Sequence, residues 1–145
     1  MIKEEKYLVK FNLPIVNEYG YSIFDYPNNH IENLINQINI EINNNNLEKI
    51  KELIQQHNNN KIQLEHKHFI LAFIIKNDKS TSLTDIDLIF RLSQIAFNDS
   101  LELSQGEITT LIKKVQESEM VALFKAQIIN NLNNSFLKQS EVVKH

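Results

Sequence analysis

The stretch Phe69-Ile70-Leu71-Ala72-Phe73-Ile74-Ile75 is seven apolar residues without a break, and it limits what this chain can fold into. A membrane-spanning helix needs about 20 apolar residues, so the run is a core element and no membrane span is expected. A continuous apolar run fits a buried helix or a buried strand, and periodicity does not separate them. Its surroundings favour a helix. Asn59 or Asn60 can cap a start, Ile62 and Glu65 fit a first turn, and no glycine or proline interrupts Lys61 to Asn77. As a helix the run has no solvent face over two turns, so other helices are expected around it. As a strand it would pair with the alternating stretches 7–13 and 38–42, and the fold would be α+β.

A chain of 145 residues fits one domain. Such a domain buries roughly 70% of its unfolded surface, so it needs no disulfide or metal to fold. It has no cysteine, which removes thiol catalysis and thiolate metal sites and fits a reducing compartment. Residues 1–60 carry five lysines against eight acids, and residues 61–145 carry ten bases against ten acids. Neither half offers a basic surface for tracking phosphates, so no nucleic-acid partner is expected. Met1-Ile2-Lys3-Glu4-Glu5 is acidic and leads into no adequate apolar segment, so no secretory leader is expected and the location is read as cytoplasmic. The chain holds 20 Asn, 21 Ile and 14 Lys against a single Arg. That skew is what an AT-rich genome would encode, and it carries no mechanism.

Residues 1–27 hold six of the twelve aromatics, Tyr7, Phe11, Tyr19, Tyr21, Phe24 and Tyr26, together with both prolines. Tyr7, Val9, Phe11 and Leu13 alternate with polar or outward residues, as in a strand. Asn17-Glu18-Tyr19-Gly20 reads as a turn, after which Tyr21 to Tyr26 can return as a second strand or continue as an irregular arm. From His30 the pattern turns helical. Ile31, Leu34, Ile35, Ile38 and Ile42 keep helical spacing, and Asn43 to Asn46 ends the element. Asn46 can cap a second helix with Leu47, Ile50, Leu53 and Ile54 on its apolar side. The short loop makes these two an antiparallel hairpin.

The central element is expected over about 62–76. Thr84 can cap a helix to about Phe97, with Asp85 and Asp87 in its first turn and Arg91 four residues after Asp87. This helix is apolar on two sides, Ile86, Ile89, Phe90 and Phe97 on one, Leu88, Leu92 and Ile95 on the other, so it too is expected to be sandwiched. Asn98 to Leu103 reads as a loop. Ser104 and Glu107 have capping-box spacing before a helix carrying Ile108, Leu111, Ile112 and Val115. The chain breaks near Ser118, and a last helix is expected over roughly 119–137.

Catalytic signatures are missing. Gly20 and Gly106 are the only glycines, which rules out glycine-rich phosphate and dinucleotide loops, and there is no nucleophile elbow. His66-Lys67-His68 is the best metal candidate. On a strand both imidazoles share a face; on a helix they point roughly 200° apart and cannot chelate together. His57 lies close in sequence and could join them in a cluster that titrates near neutral pH. Asp85 and Asp87 are explained as helix-start charges. Asp99, Glu102 and Glu107 flank an interhelix loop without the central glycine of an EF-hand. The dozen residues from Ala96 to Glu107 resemble the acidic interhelix loop of TerB-type tellurite-resistance domains. Ser100 stands where that loop has glycine, and the spacing from Asp99 to Glu107 is one residue longer.

The sequence thus leads to an all-α (mainly) fold: a single helical bundle of about six helices over 28–138, an extended or hairpin-like aromatic segment over 1–27 packed on the same domain, and a frayed tail over 139–145. The expected function is that of a non-enzymatic protein-interaction protein, such as a small regulator, inhibitor, chaperone or secreted effector. Tyr19, Tyr21, Phe24 and Tyr26 are the candidate partner-binding residues, because tyrosine buries area at little entropy cost and keeps a polar tip. The structural alternative is that this segment covers the helical core. No cofactor is expected, and homo-oligomers are compatible with the pattern. The alternative function is a metal-binding enzyme or sensor built on His66 and His68.

Overall fold

The computed structural model describes residues 5–26 and 30–143, with side chains to Phe136. In chain order the elements are β1 (Lys6–Lys10), β2 (Phe24–Asp25), α1 (His30–Asn43), α2 (Leu47–Asn59), β3 (Ile62–Gln63), α3 (His66–Ile70), α4 (Leu83–Leu92), β4 (Ser100–Ser104), α5 (Gln105–Glu117) and α6 (Ala122–Val143). The fold is mainly helical, with six α-helices among the described residues. The expected tail over 139–145 falls where side chains are not described, with His145 and Lys144 outside the described residues; the boundary expected at 27/28 also lies outside them. The chain divides into two compact units, residues 1–21 with 65–145, and residues 22–64.

In the first unit, β1 pairs antiparallel with β4 in the register Lys6↔Ser104 to Lys10↔Ser100. This corrects two expectations. Residues 98–103 are not simply a loop, and the 7–13 strand does not pair with 21–26. The alternation of Leu101 and Leu103 around Glu102 supplies one apolar edge, and Leu103 is fully buried opposite Tyr7. Past β1 the chain remains part of the core. Phe11 N–H donates to Asp99 C=O at 2.7 Å, and His66 and Lys67 N–H donate to Leu13 and Phe11 C=O at 2.9 Å. Gln127 of α6 closes a two-way amide clamp on Val16, accepting from its N–H at 2.9 Å and donating to its C=O at 2.8 Å. Val9, Phe11 and Ile15 are accordingly buried to 0% exposure.

Local chemistry explains the helix ends. Ser104 and Glu107 form the expected capping box at α5, which satisfies two orphan N–H groups at once. Ile108, Leu111 and Val115 then bury one stripe. Ser118 ends α5, its N–H and hydroxyl both donating to Val115 C=O. α4 is capped by Ser82 rather than Thr84: Ser82 Oγ accepts from Asp85 N–H at 3.1 Å. The expected 62–76 helix starts four residues late, because Ile62–Gln63 forms β3 and Glu65 caps α3, reciprocally with His68. The last helix starts at Ala122 and runs to Val143, beyond the expected 119–137.

The Phe69–Ile75 run is helical, as its surroundings indicated. α3 widens into a π-helical turn over Leu71–Ile75, closed by Lys76 N–H to Leu71 C=O at 3.1 Å. The run is not enclosed, however. Ile70 and Ile74 are buried, whereas Ala72 and Phe73 face solvent. A helix this close to the edge of a small core has one side covered, whatever its composition.

The second unit is the α1–α2 hairpin with a two-residue β2–β3 pairing, Phe24↔Gln63 and Asp25↔Ile62. Asn46 caps α2 as expected, its side chain accepting from Lys49 N–H. Asn45 takes the left-handed conformation at φ 55°, which Asn tolerates better than most residues. The alternating 38–42 stretch is helix, not strand. Among its described residues the unit buries one apolar side chain, Leu53.

Candidate interaction surfaces

α4 is the helix whose two apolar faces meet different fates. Leu88 and Leu92, followed by Ile95 in a 3-10 turn (Ser93–Ala96), are buried at 0–2% exposure. Opposite them, Leu83, Ile86 and Phe90 recur at i, i+3 and i+7 and share one side. They stand 85%, 46% and 68% exposed, with Phe97 just beyond at 86%. The expected sandwich is thus corrected: one face of α4 is covered and the other is open. The rim is charged and tied down. Arg91 bonds Asp87 at 3.1 Å and also contacts Glu107, which accepts from Ser104 N–H at 2.9 Å and pairs with Lys6. An apolar stripe beside an ion-paired rim is a candidate contact surface.

A cavity of about 610 Å³ in the first unit has Phe73, Ile74, Asn77, Glu117 and Ser118 in its wall. Its centre is an ion pair. Lys114 Nζ donates to Asp78 Oδ2 at 2.8 Å and to Ser80 Oγ at 2.9 Å, while Asp78 Oδ1 accepts from Ser80 N–H. Burial pushes the Asp78 carboxyl up, but the Lys114 and Ser80 hydrogen bonds outweigh it and hold the group below its ordinary range. The cluster has its partners within the fold, and it fastens the 76–82 link onto α5.

The four aromatic candidates fall in different settings. Tyr19 and Tyr21 belong to the first unit, on a turn gathered by Asn17, whose side chain accepts from both their N–H groups at 2.9 and 3.1 Å. Gly20 has φ +82° there, a conformation glycine adopts at no steric cost. The two rings are 76% and 71% exposed. Phe24 and Tyr26 belong to the second unit. Lys61 Nζ sits 4.4 Å above the Phe24 ring, and Tyr26 stacks on His57 at 4.2 Å between centroids.

The histidines separate likewise. His66 faces the core at 4% exposure, its Nδ1 without a partner, and burial takes its pKa down to about 4. His68 turns back, Nδ1 accepting from Glu65 N–H at 2.9 Å. α3 therefore gives the two rings different surroundings, and the described residues contain no group of three or more metal-ligating side chains. His30 Nε2 lies 2.9 Å from His57 Nδ1, and the two rings are nearly parallel. That pair spans 27 residues and was invisible to local pattern reading. The open face of α4 was half visible: the apolar residues were identified, but not that a chain this small leaves them uncovered. No helix among the described residues is long and apolar enough to cross a membrane. The chain matches no protein-family model, no curated protein and no solved structure.

Proposed function

We infer that this chain is a non-enzymatic protein that acts by binding another protein, as a small regulator, inhibitor, chaperone or effector in the cytoplasm, or in a host's cytoplasm if it is exported. The observation behind this reading is the open face of α4. Leu83, Ile86, Phe90 and Phe97 leave an apolar stripe open to solvent, beside a rim held by Arg91, Asp87 and Glu107. A convex stripe with i, i+3, i+7 spacing fits an amphipathic helix of the partner, packed along α4. Tyr19 and Tyr21 are a second, separate contact, exposed on a turn that already fixes their backbone. Phe24 and Tyr26 belong to the same proposal through their cation–π and stacking settings.

Affinity capture from the native or host lysate tests this with three baits: wild type, Phe90→Glu, and Tyr19→Ala/Tyr21→Ala. A central aromatic anchor is worth about 2 kcal/mol or more, so Phe90→Glu should lower affinity for the partner retained by wild type about 30-fold or more. The tyrosine pair should lower it less. Equal retention by wild type and Phe90→Glu contradicts the role given to α4, and equal retention by the tyrosine variant removes the turn from the interface.

A further inference from the structure

The α1–α2 hairpin is fastened at one end by its turn and meets itself at the other through two histidines. The turn follows Asn43. At the open end His30, the first residue of α1, meets His57 in the last turn of α2, with His30 Nε2 2.9 Å from His57 Nδ1. The ring centroids are 5.0 Å apart, so the two nitrogens lie between the rings and face each other. Tyr26 stacks against the pair, 4.2 Å from His57 and 5.6 Å from His30, and the three rings are within 15° of parallel. A cavity of about 120 Å³ adjoins the pair, with Asn33, Gln37, Gln56 and Asn60 in its wall and, among the described residues, no lysine, arginine or carboxylate.

The unit that holds this pair is short of core. Residues 22–64 are near the size, about 40 residues, below which a disulfide or a metal usually supplements burial. Among the described residues Leu53 is the buried apolar side chain of both helices. The chain has no cysteine, so a disulfide is not available to it. We propose that His30 and His57 together bind a structural zinc ion, or a divalent ion of the same borderline character, which staples the open end of the hairpin. Imidazole suits zinc, copper and nickel, whereas magnesium and calcium would want carboxylates, which this wall lacks. Amide oxygens of the asparagine and glutamine side chains, or water, complete the coordination. Zinc–nitrogen bonds of about 2.0–2.1 Å at a tetrahedral angle set two ligand nitrogens about 3.3 Å apart, so the pair has to open by less than about 0.5 Å. Both facing nitrogens must offer lone pairs. The ring that carries a proton on its facing nitrogen passes it, through water, to its own outer nitrogen, a change of tautomer that leaves the charge as it was. With two imidazoles rather than the three or four nitrogen and sulfur ligands of a closed site, the affinity falls in the micromolar range.

Calorimetric titration of the full, metal-free chain with zinc chloride at neutral pH tests this. Wild type should take up one ion per chain. His30→Gln and His57→Gln, each with its helical circular dichroism retained, should bind about tenfold more weakly or worse, since even a group behind a metal ligand is worth 10–100-fold in affinity. Protons compete for the same nitrogens, so uptake should weaken from about pH 7.5 to about pH 5.5. NMR of the imidazole protons locates the ion in wild type without any substitution: the resonances of His30 and His57 should shift together, and those of His66 and His68 should stay. No uptake of zinc overturns the proposal and leaves the pair as a hydrogen bond alone. Zinc that shifts other histidines, or that binds either glutamine variant as tightly as wild type, overturns it as well.

Discussion

The two units are written in the same kind of sequence, yet one closes a core and the other does not. The first unit layers a strand pair and a docked N-terminal segment against α3, α4, α5 and α6, and Val9, Phe11, Leu92, Ile108, Leu111 and Ile128 reach 0% exposure. The second unit has helices just as amphipathic, with five Ile or Leu residues in helical register on α1, and among its described residues buries Leu53 alone. Amphipathicity says which side of a helix seeks cover. Whether it finds cover depends on how many layers the chain supplies, and a segment of about 40 residues is at the limit below which folded units usually need outside help. α4 repeats the contrast on one helix, with Leu88 and Leu92 covered and Leu83 and Phe90 open.

The largest effect should separate the two cores directly. Phe11→Ala is expected to destabilise the protein by roughly 3–5 kcal/mol, because a rigid, fully enclosed site keeps the cavity. Leu53→Ala should lower stability by about 2 kcal/mol or less, since a half-open hairpin can collapse around the gap. Urea denaturation of the full chain measures both, and equal losses would break the distinction.

His66 sharpens the account of the first core through pH. Its folded pKa, about 4, lies below the ordinary 6.5, so the unfolded chain takes up the proton first. Stability tied to this group is complete above about pH 6.5 and is lost as pH falls towards 4. The difference of about 2.5 units corresponds to roughly 3 kcal/mol. His66→Leu should flatten this part of the curve of urea midpoint against pH; an unchanged slope would show that folding does not lower the pKa of His66.

A smaller effect is expected at the loop tie. Lys114→Met should reduce stability by about 1–2 kcal/mol, because it leaves the Asp78 carboxylate half-buried without its cation. Thermal melts at neutral pH would measure this, and adding Asp78→Asn should recover part of the loss. The smallest effect belongs to the second unit's surface. Removing the exposed Lys49–Glu52 pair should change stability by less than about 0.5 kcal/mol, and a larger loss in urea melts of Lys49→Ala would mean that the hairpin depends on its charges.

The helices were legible because their signals are local. The caps at Asn46 and Ser104–Glu107, the break at Ser118 and the Asp87–Arg91 pair all rest on residues within a turn of each other. What the sequence concealed is long-range. The β1–β4 register joins Tyr7 to Leu103, and five residues of alternation do not announce a partner so far along the chain. β2 and β3 are two residues each, too short to leave a period. Ser82 displaced Thr84 because either can cap, and only the packed position of α4 decides. Among the candidate residues, Tyr19 and Tyr21 are exposed on a turn recognisable from Asn17 and Gly20, while the His30–His57 contact and the uncovered side of Phe90 needed the fold.

Amide hydrogen exchange on the full chain tests the contrast between the units most directly. Exchange reports the free energy of local opening. Strong protection is expected in α5, whose Ile108, Leu111 and Val115 are buried, and weak protection in α1 and α2. Protection of α1 and α2 that matches that of α5 would contradict the contrast between a closed core and an open one.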